Sequence, residues 1–283
     1  MKILVTGARG MLGTDVYESL ASGHEVTGVD IEEFDVTSGP DTEKVIAGLA
    51  PEVVVHLAAY TRVDDAEDEK DAAFNCNAVG TMNVAKASRE AGARLVYVST
   101  DYVFDGAKDA PYLETDATAP VNFYGLTKLF GERYASSLNP RHLIVRTSWL
   151  FGPNGRNFVD AILERARAGQ ALQVVDDQRG SPTYTYHLAQ GLKCAIEKGI
   201  EGILHMTNLG ETTWYEFARV ALEMANVKAE IKPVGSASYP SKARRPANSV
   251  LGSLVMEHSG LEPLPDWREG LRHHLKRKQA AGK

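Results

Sequence analysis

Tyr124 stands four residues ahead of Lys128 in "FYGLTKLFGER" (123–133). Residues at i and i+4 share one helix face, and a nearby ammonium stabilises a phenolate. Such a pair can exchange a proton with a carbonyl oxygen during hydride transfer, or it can be the first turn of an ordinary amphipathic helix. Chance supplies roughly half a Y-x-x-x-K in a chain of this composition, so the pair alone decides nothing. A second polar set lies upstream in "YVSTDYVFDG" (97–106), where Ser99, Thr100, Asp101 and Tyr102 follow an apolar run. A third is "TGARGMLG" (6–13), with Gly7, Gly10 and Gly13. Glycines at a strand-to-helix junction permit a tight turn, let the backbone approach a pyrophosphate and leave the helix N–H groups facing its charge. The G-x-x-G-x-x-G spacing departs from the dinucleotide fingerprint G-x-G-x-x-G. Asp30 closes the next apolar run, where a carboxylate accepts hydrogen bonds from an adenosine ribose and repels an added 2′-phosphate. Arg9, inside the glycine loop, can reach that phosphate, so NADH and NADPH both stay open.

These groups need a scaffold, and the pattern supplies one. Apolar runs at 2–6, 25–30, 52–58, 94–100 and 142–149 alternate with helix-like runs at 11–21, 42–49 and 70–92 and with the helix carrying Tyr124. Nearly continuous apolar strands separated by helices predict an α/β fold, a doubly wound parallel sheet covered on both faces. Ligands then sit beyond the carboxyl ends of the strands, where Thr100 and the glycine loop fall. After residue 151 the alternation loosens. The expected organisation is a dinucleotide-binding domain over 1–151 and a smaller substrate lobe over 152–283, with helices at 157–169 and 214–225. A run at 202–208 is expected to rejoin the sheet. The stretch 233–246 has no convincing period, and the tail "KRKQAAGK" is expected to fray.

Composition excludes several classes. Of 283 residues, 43% are hydrophobic and 24% charged, ordinary globular values. A net charge of −6 argues against a nucleic-acid or membrane surface. Cys76 and Cys194 are far apart and outside any metal spacing, as expected of reduced thiols. The opening "MKILVTG" is too short for a signal peptide, and the longest apolar block, 53–59, is far below a spanning length. A cytoplasmic protein is the expectation.

Taken in order, the glycine loop, Asp30, "AAYTRVDDAE" (58–67), "STDYVFDG" (99–106), Y-x-x-x-K and "RTSWLFG" (146–152) resemble the extended short-chain dehydrogenase/reductases. "DDQRGSPTY" (176–184), "TTWYEFA" (212–218) and "ARRPANS" (243–249) narrow the resemblance to the dTDP-4-dehydrorhamnose reductase family over nearly the whole chain. The resemblance implies a Rossmann-like fold and reduction of the 4-keto group of dTDP-4-dehydro-L-rhamnose to dTDP-L-rhamnose by NADPH or NADH. It implies Thr100, Tyr124 and Lys128 as the catalytic set. It puts Gly7, Arg9, Gly10, Met11, Leu12, Gly13, Asp30, Asp35, Ala58, Ala59 and Tyr60 at the cofactor, with Tyr124 and Lys128. Thr61, Val63, Thr100, Asp101, Tyr102 and Trp149 would border the sugar. Asn157 and Arg245 would face the nucleotide diphosphate.

Some family members hold Mg²⁺ at a dimer interface through acidic side chains. Asp15 can supply one ligand, but Tyr186 stands where a second carboxylate is expected. The expectation is therefore no Mg²⁺ and a monomer, with a dimer as the alternative. Two other functional readings share the fold. Nucleotide-sugar epimerases and 4,6-dehydratases are one, although a dehydratase typically carries Asp-Glu after the catalytic threonine and here Tyr102 follows Asp101. The other is a non-catalytic regulatory subunit resembling the β subunit of methionine adenosyltransferase, against which the intact Thr100, Tyr124 and Lys128 set argues.

Overall fold

The structure, a computed structural model, describes residues 1–281. Six strands build one parallel sheet: β1 (Lys2–Thr6), β2 (Glu25–Val29), β3 (Val53–His56), β4 (Arg94–Thr100), β5 (His142–Thr147) and β6 (Gly202–His205). Their order is β6-β5-β4-β3-β1-β2, every neighbouring pair parallel. The strand order reverses between β1 and β3, which opens a crevice at their carboxyl ends.

Alternation along the strands sends apolar side chains to both faces. Ile3, Val5, Val53, Val55, Val96, Val145 and Leu204 pack with Leu12, Val16 and Leu20 of helix α1 (Met11–Ala21). Leu4, Val54, Leu95, Tyr97 and Ile144 face the other way, toward Ile46 of α2 (Gly39–Leu49), Val84 and Ala85 of α3 (Thr81–Glu90) and Ala135 of α4 (Phe123–Leu138). A second core gathers Phe151, Ile162 and Leu163 of α5 (Phe158–Arg167), Tyr184, and Phe217 of α7 (Trp214–Met224), together with Trp267 and Leu271 of α8 (Trp267–Ala281). Between α5 and α7 in sequence, α6 (Thr185–Glu197) returns to pack on α1.

Three local expectations change. The single helix expected over 70–92 contains a π turn, Asn75–Gly80, between a short helix, Lys70–Phe74, and α3. The bulge turns Asn77 inward, where its carboxamide accepts from the Tyr60 N–H (2.8 Å) and donates to the Tyr60 carbonyl (3.0 Å) and the Thr127 hydroxyl (2.9 Å). Gly131 lets α4 lie against that turn, because a Cβ there would meet Tyr97 Oη at 2.3 Å and the Asn77 carbonyl at 2.8 Å. Running into the start of the aperiodic stretch, Ile231–Val234 pairs with Leu172–Val175. The C-terminal segment is helical through Ala281, docked by Leu271 and Leu275; 282 and 283 lie outside the described residues. No described helix is long and apolar enough to cross a membrane.

Candidate active site

A cavity of about 780 Å³ opens at the carboxyl ends of the sheet. Its floor and walls come from the residues following β1 to β5, together with the start of α4. Gly7 turns the chain out of β1 with φ +69°, a left-handed conformation that favours glycine, and a Cβ there would lie 2.7 Å from the Ala58 nitrogen. At Gly13 a Cβ would lie 2.0 Å from the Gly7 carbonyl oxygen. Gly10 stands at the α1 N-cap without a side-chain cap, which leaves first-turn N–H groups open beside Met11 and Leu12. This donor set suits a pyrophosphate, and the loop residues present fit a dinucleotide.

Asp30 accepts from the Arg9 N–H (2.9 Å) and the Ile31 N–H (2.9 Å). The Arg9 guanidinium is turned onto Glu32 and Glu33. Asp35, Ala58 and Ala59 border the cavity, and Asp35 also accepts from the Thr37 N–H (2.9 Å). Tyr60 differs from its expected place at the cofactor. Its peptide is clamped by Asn77, its hydroxyl donates to Glu69 (2.9 Å), and Arg62 lies over its ring.

Thr61, Val63, Thr100, Asp101, Tyr102, Tyr124, Lys128 and Trp149 all border the same cavity. Asn122 opens α4 by accepting from the Gly125 N–H (2.7 Å), which sets Tyr124 in the first turn with Lys128 one turn on. Burial holds the Tyr124 phenol well above its ordinary pKa, the neighbouring Asp101 charge adds to this, and the Thr100 hydroxyl opposes it. Burial also lowers the Lys128 ammonium to about 8, against attraction from Cys76 and Glu132. Its Nζ donates to the Val98 carbonyl (2.8 Å) and sits 4.2 Å from the Tyr97 ring centre. Asp101 is pushed up to about 7 by burial, while the nearby Ser249 and Thr100 hydroxyls pull the other way. Its Oδ1 accepts from the Thr100 hydroxyl (3.0 Å), and its Oδ2 has no partner.

Beneath this surface Glu132, one further turn along α4, is anchored by Arg146 of β5 through Nε (2.9 Å) and Nη2 (2.7 Å) and by the Ser99 hydroxyl (2.6 Å). Both ionised side chains are buried. Trp149, after β5, has φ +47° and stacks on Trp214 with ring centres 3.5 Å apart and planes 8° from parallel. Gly180 makes room for that indole, since a Cβ there would meet it at 2.3 Å. Trp214 and Arg156 complete the cavity wall and went unassigned in the sequence; "TTWYEFA" carried the signal for Trp214.

Two expected diphosphate residues stand elsewhere. Asn157 caps α5, accepting from the Asp160 N–H (3.0 Å) while its amide donates to the Gly152 carbonyl (2.9 Å) and to Asp160 (3.0 Å). With the whole carboxamide engaged, it has nothing to offer a phosphate. Arg245 pairs with Asp64 (2.9 Å) and borders a second cavity of about 310 Å³, which shares Trp214 with the first. Asp15 is buried with its carboxylate bound by Thr185 (2.5 Å), Arg277 (3.0 Å) and Asn154 (3.4 Å), so a guanidinium already supplies the positive charge there. Among the described residues no group of three or more His, Cys, Asp and Glu side chains is arranged to hold a metal.

The family model described as RmlD substrate binding domain matches residues 1–280. A dTDP-4-dehydrorhamnose reductase of Mycolicibacterium smegmatis is 41% identical over 96% of this chain and 84% of its own. A probable dTDP-4,6-dihydroxy-2-methyloxan-3-one 4-ketoreductase of Streptomyces antibioticus is also 41% identical, over 96% of this chain and 94% of its own. Among solved structures, a dTDP-4-dehydrorhamnose reductase from Bacillus anthracis in complex with NADP superposes with a TM-score of 0.95 at 37% identity, covering 98% of this chain and 99% of that one.

Proposed function

We propose that this chain, which belongs to the RmlD substrate binding domain family, is an NAD(P)H-dependent oxidoreductase that reduces the 4-keto group of dTDP-4-dehydro-L-rhamnose to dTDP-L-rhamnose. The observation that carries this reading is one cleft, bordered together by the glycine loop, Thr100, Tyr124 and Lys128 at the carboxyl ends of the sheet.

On this reading Gly7, Gly10 and Gly13 and the open N–H groups of Met11 and Leu12 hold the pyrophosphate. Asp30 meets the adenosine ribose, and Lys128 the nicotinamide ribose. When bound, the reduced nicotinamide supplies the hydride. Tyr124 donates its proton to the ketone oxygen as charge develops there. The phenol is protonated at the outset, as an ordinary tyrosine is at neutral pH; burial raises its pKa further, which makes a nearby positive charge necessary when the proton leaves. The Lys128 ammonium then stabilises the phenolate left behind. Thr100 hydrogen-bonds the same oxygen, an electrostatic contribution made where charge appears. Thr61, Val63, Asp101, Tyr102 and the stacked Trp149 and Trp214 wall the sugar subsite. Arg245 lines the adjoining cavity and is held by Asp64, so its guanidinium would meet the diphosphate only by leaving that partner. Asp15 is satisfied within the chain, which supports a monomer as the active unit.

The Streptomyces antibioticus relative matches at the same identity as the reductase of Mycolicibacterium smegmatis, so a different dTDP-4-keto sugar is the second reading. Few pocket contacts separate such substrates. Supplying dTDP-4-dehydrorhamnose with NADH and separately with NADPH, following cofactor oxidation and identifying the product tests both. Absence of turnover with either cofactor, from folded protein that binds the nucleotide, removes the reductase reading. Tyr124→Phe is expected to lower turnover by about 10²-fold or more, the scale of general acid catalysis, with cofactor binding nearly intact. A fully active variant would show that the proton comes from elsewhere.

A further inference from the structure

The rim of the main cavity beside β2 concentrates charge in an arrangement that neither the glycine loop nor Asp30 explains alone. Arg9 lines this rim beside Asp30, and both of its terminal nitrogens are occupied. Nη1 donates to Glu33 Oε1 (3.0 Å), and Nη2 donates to Glu33 Oε2 (2.6 Å) and to Glu32. The same Glu33 Oε2 accepts from the Asp30 N–H (2.8 Å), which ties the clamp to the end of β2. Asp30 in turn is aimed by the Arg9 and Ile31 N–H groups, one to each carboxylate oxygen. Two carboxylates therefore hold the guanidinium while a third, Asp30, binds the Arg9 backbone N–H, and Arg9, Asp30, Ile31 and Glu32 all border the cavity.

A ribose 2′-hydroxyl and a 2′-phosphate meet this rim differently. The hydroxyl donates to Asp30, whose oxygens keep free lone pairs. The phosphate brings about two negative charges to a rim already carrying a surplus of two, and the arginine that would receive it is held by its own chain. Discrimination of this kind rests on repulsion of the wrong ligand as much as on attraction of the right one. Resting on the NAD(P)H-dependent reading above, we propose that Glu32 and Glu33 are specificity-determining residues that withhold Arg9 from a 2′-phosphate and make this chain select NADH over NADPH.

Cofactor binding to the full chain without any sugar nucleotide, followed by the fluorescence of the reduced nicotinamide, separates this proposal from the reductase reading. The expected result is NADH bound at least about tenfold more tightly than NADPH at low salt, with the gap narrowing as salt screens the rim. Glu32→Gln/Glu33→Gln is expected to tighten NADPH by about tenfold and to leave NADH within about twofold. The three side chains are about half exposed or more, so a folding defect is not anticipated, and retained NADH binding reports directly on the fold. Equal or tighter binding of NADPH by the unaltered chain overturns the proposal, as does a double variant whose preference is unchanged. If neither cofactor binds, this proposal and the reductase reading fall together. If NADH binds selectively but no keto sugar is turned over, only the reductase reading falls.

Discussion

Replacing Asp101 by Asn isolates the cost of burying a carboxyl in the catalytic cleft. Asp101 is 2% exposed, its Oδ2 has no hydrogen-bond partner, and its pKa rises from 3.8 to about 7. A folded-state pKa above the unfolded one means that the folded chain holds the proton more tightly. The native state therefore carries no penalty below the unfolded value and loses stability as pH climbs toward the folded one. A shift of this size corresponds to about 4 kcal/mol once both states are ionised, and to about 1.5 kcal/mol at pH ~5, where only the unfolded carboxyl has lost its proton. Asn has no such titration. Urea unfolding of the chain and of Asp101→Asn, at steps from pH ~5 to ~8, should show the variant gaining about 2 to 3 kcal/mol relative to the parent across that interval. Any constant offset from lost or gained hydrogen bonds cancels in the slope. A stability difference that stays flat across the interval refutes the reasoning, because it means that Asp101 is already ionised at pH 5 in the folded chain. The same carboxyl bears on turnover, since the Thr100 hydroxyl donates to Asp101 Oδ1. An ionised Asp101 competes for the proton that Thr100 would offer a ketone oxygen.

Glu132→Gln should leave the Arg146 guanidinium buried and uncompensated, and urea unfolding should report about 3–5 kcal/mol of lost stability. Adding Arg146→Met should recover part of that loss; a double variant no more stable than the single one would show that the pair is not the source of the cost. Because Asp15 is satisfied by Thr185, Arg277 and Asn154, the chain should sediment as a monomer with and without added Mg²⁺, and a metal-dependent dimer in sedimentation velocity would contradict this.

The parallel sheet was legible in the sequence because each strand is a short apolar run, bounded by polar residues, whose alternation buries both faces. "KILVT" sends Ile3 and Val5 to one layer and Leu4 to the other, and no distant information is needed to see it. The cleft followed from the sheet: once β1 and β4 are parallel, the glycine loop and Ser99–Thr100–Asp101 share an edge, and Tyr124 reaches it from α4. What periodicity could not supply depends on contacts between segments far apart in the chain. The stack of Trp149 on Trp214 joins the end of β5 to the start of α7, and it accompanies a left-handed backbone at Trp149 that no local preference favours. The π turn at Asn75–Gly80 depends on the pairing of Asn77 with Tyr60 and Thr127. Asn157 is a different kind of miss. The run "NFVD" places Asp160 three residues after Asn157, a helix-start pattern, and the local cap claims the carboxamide before any phosphate can. The charge state of the site was the least legible part, because it depends on depth rather than on residue type. Tyr124, Lys128 and Asp101 are all buried, and their shifts run toward the neutral form in each case. The convergence of the glycine loop, Thr100, Tyr124 and Lys128 on one cleft, more than the spacing of Tyr124 and Lys128, distinguishes this helix from one that merely begins with a tyrosine.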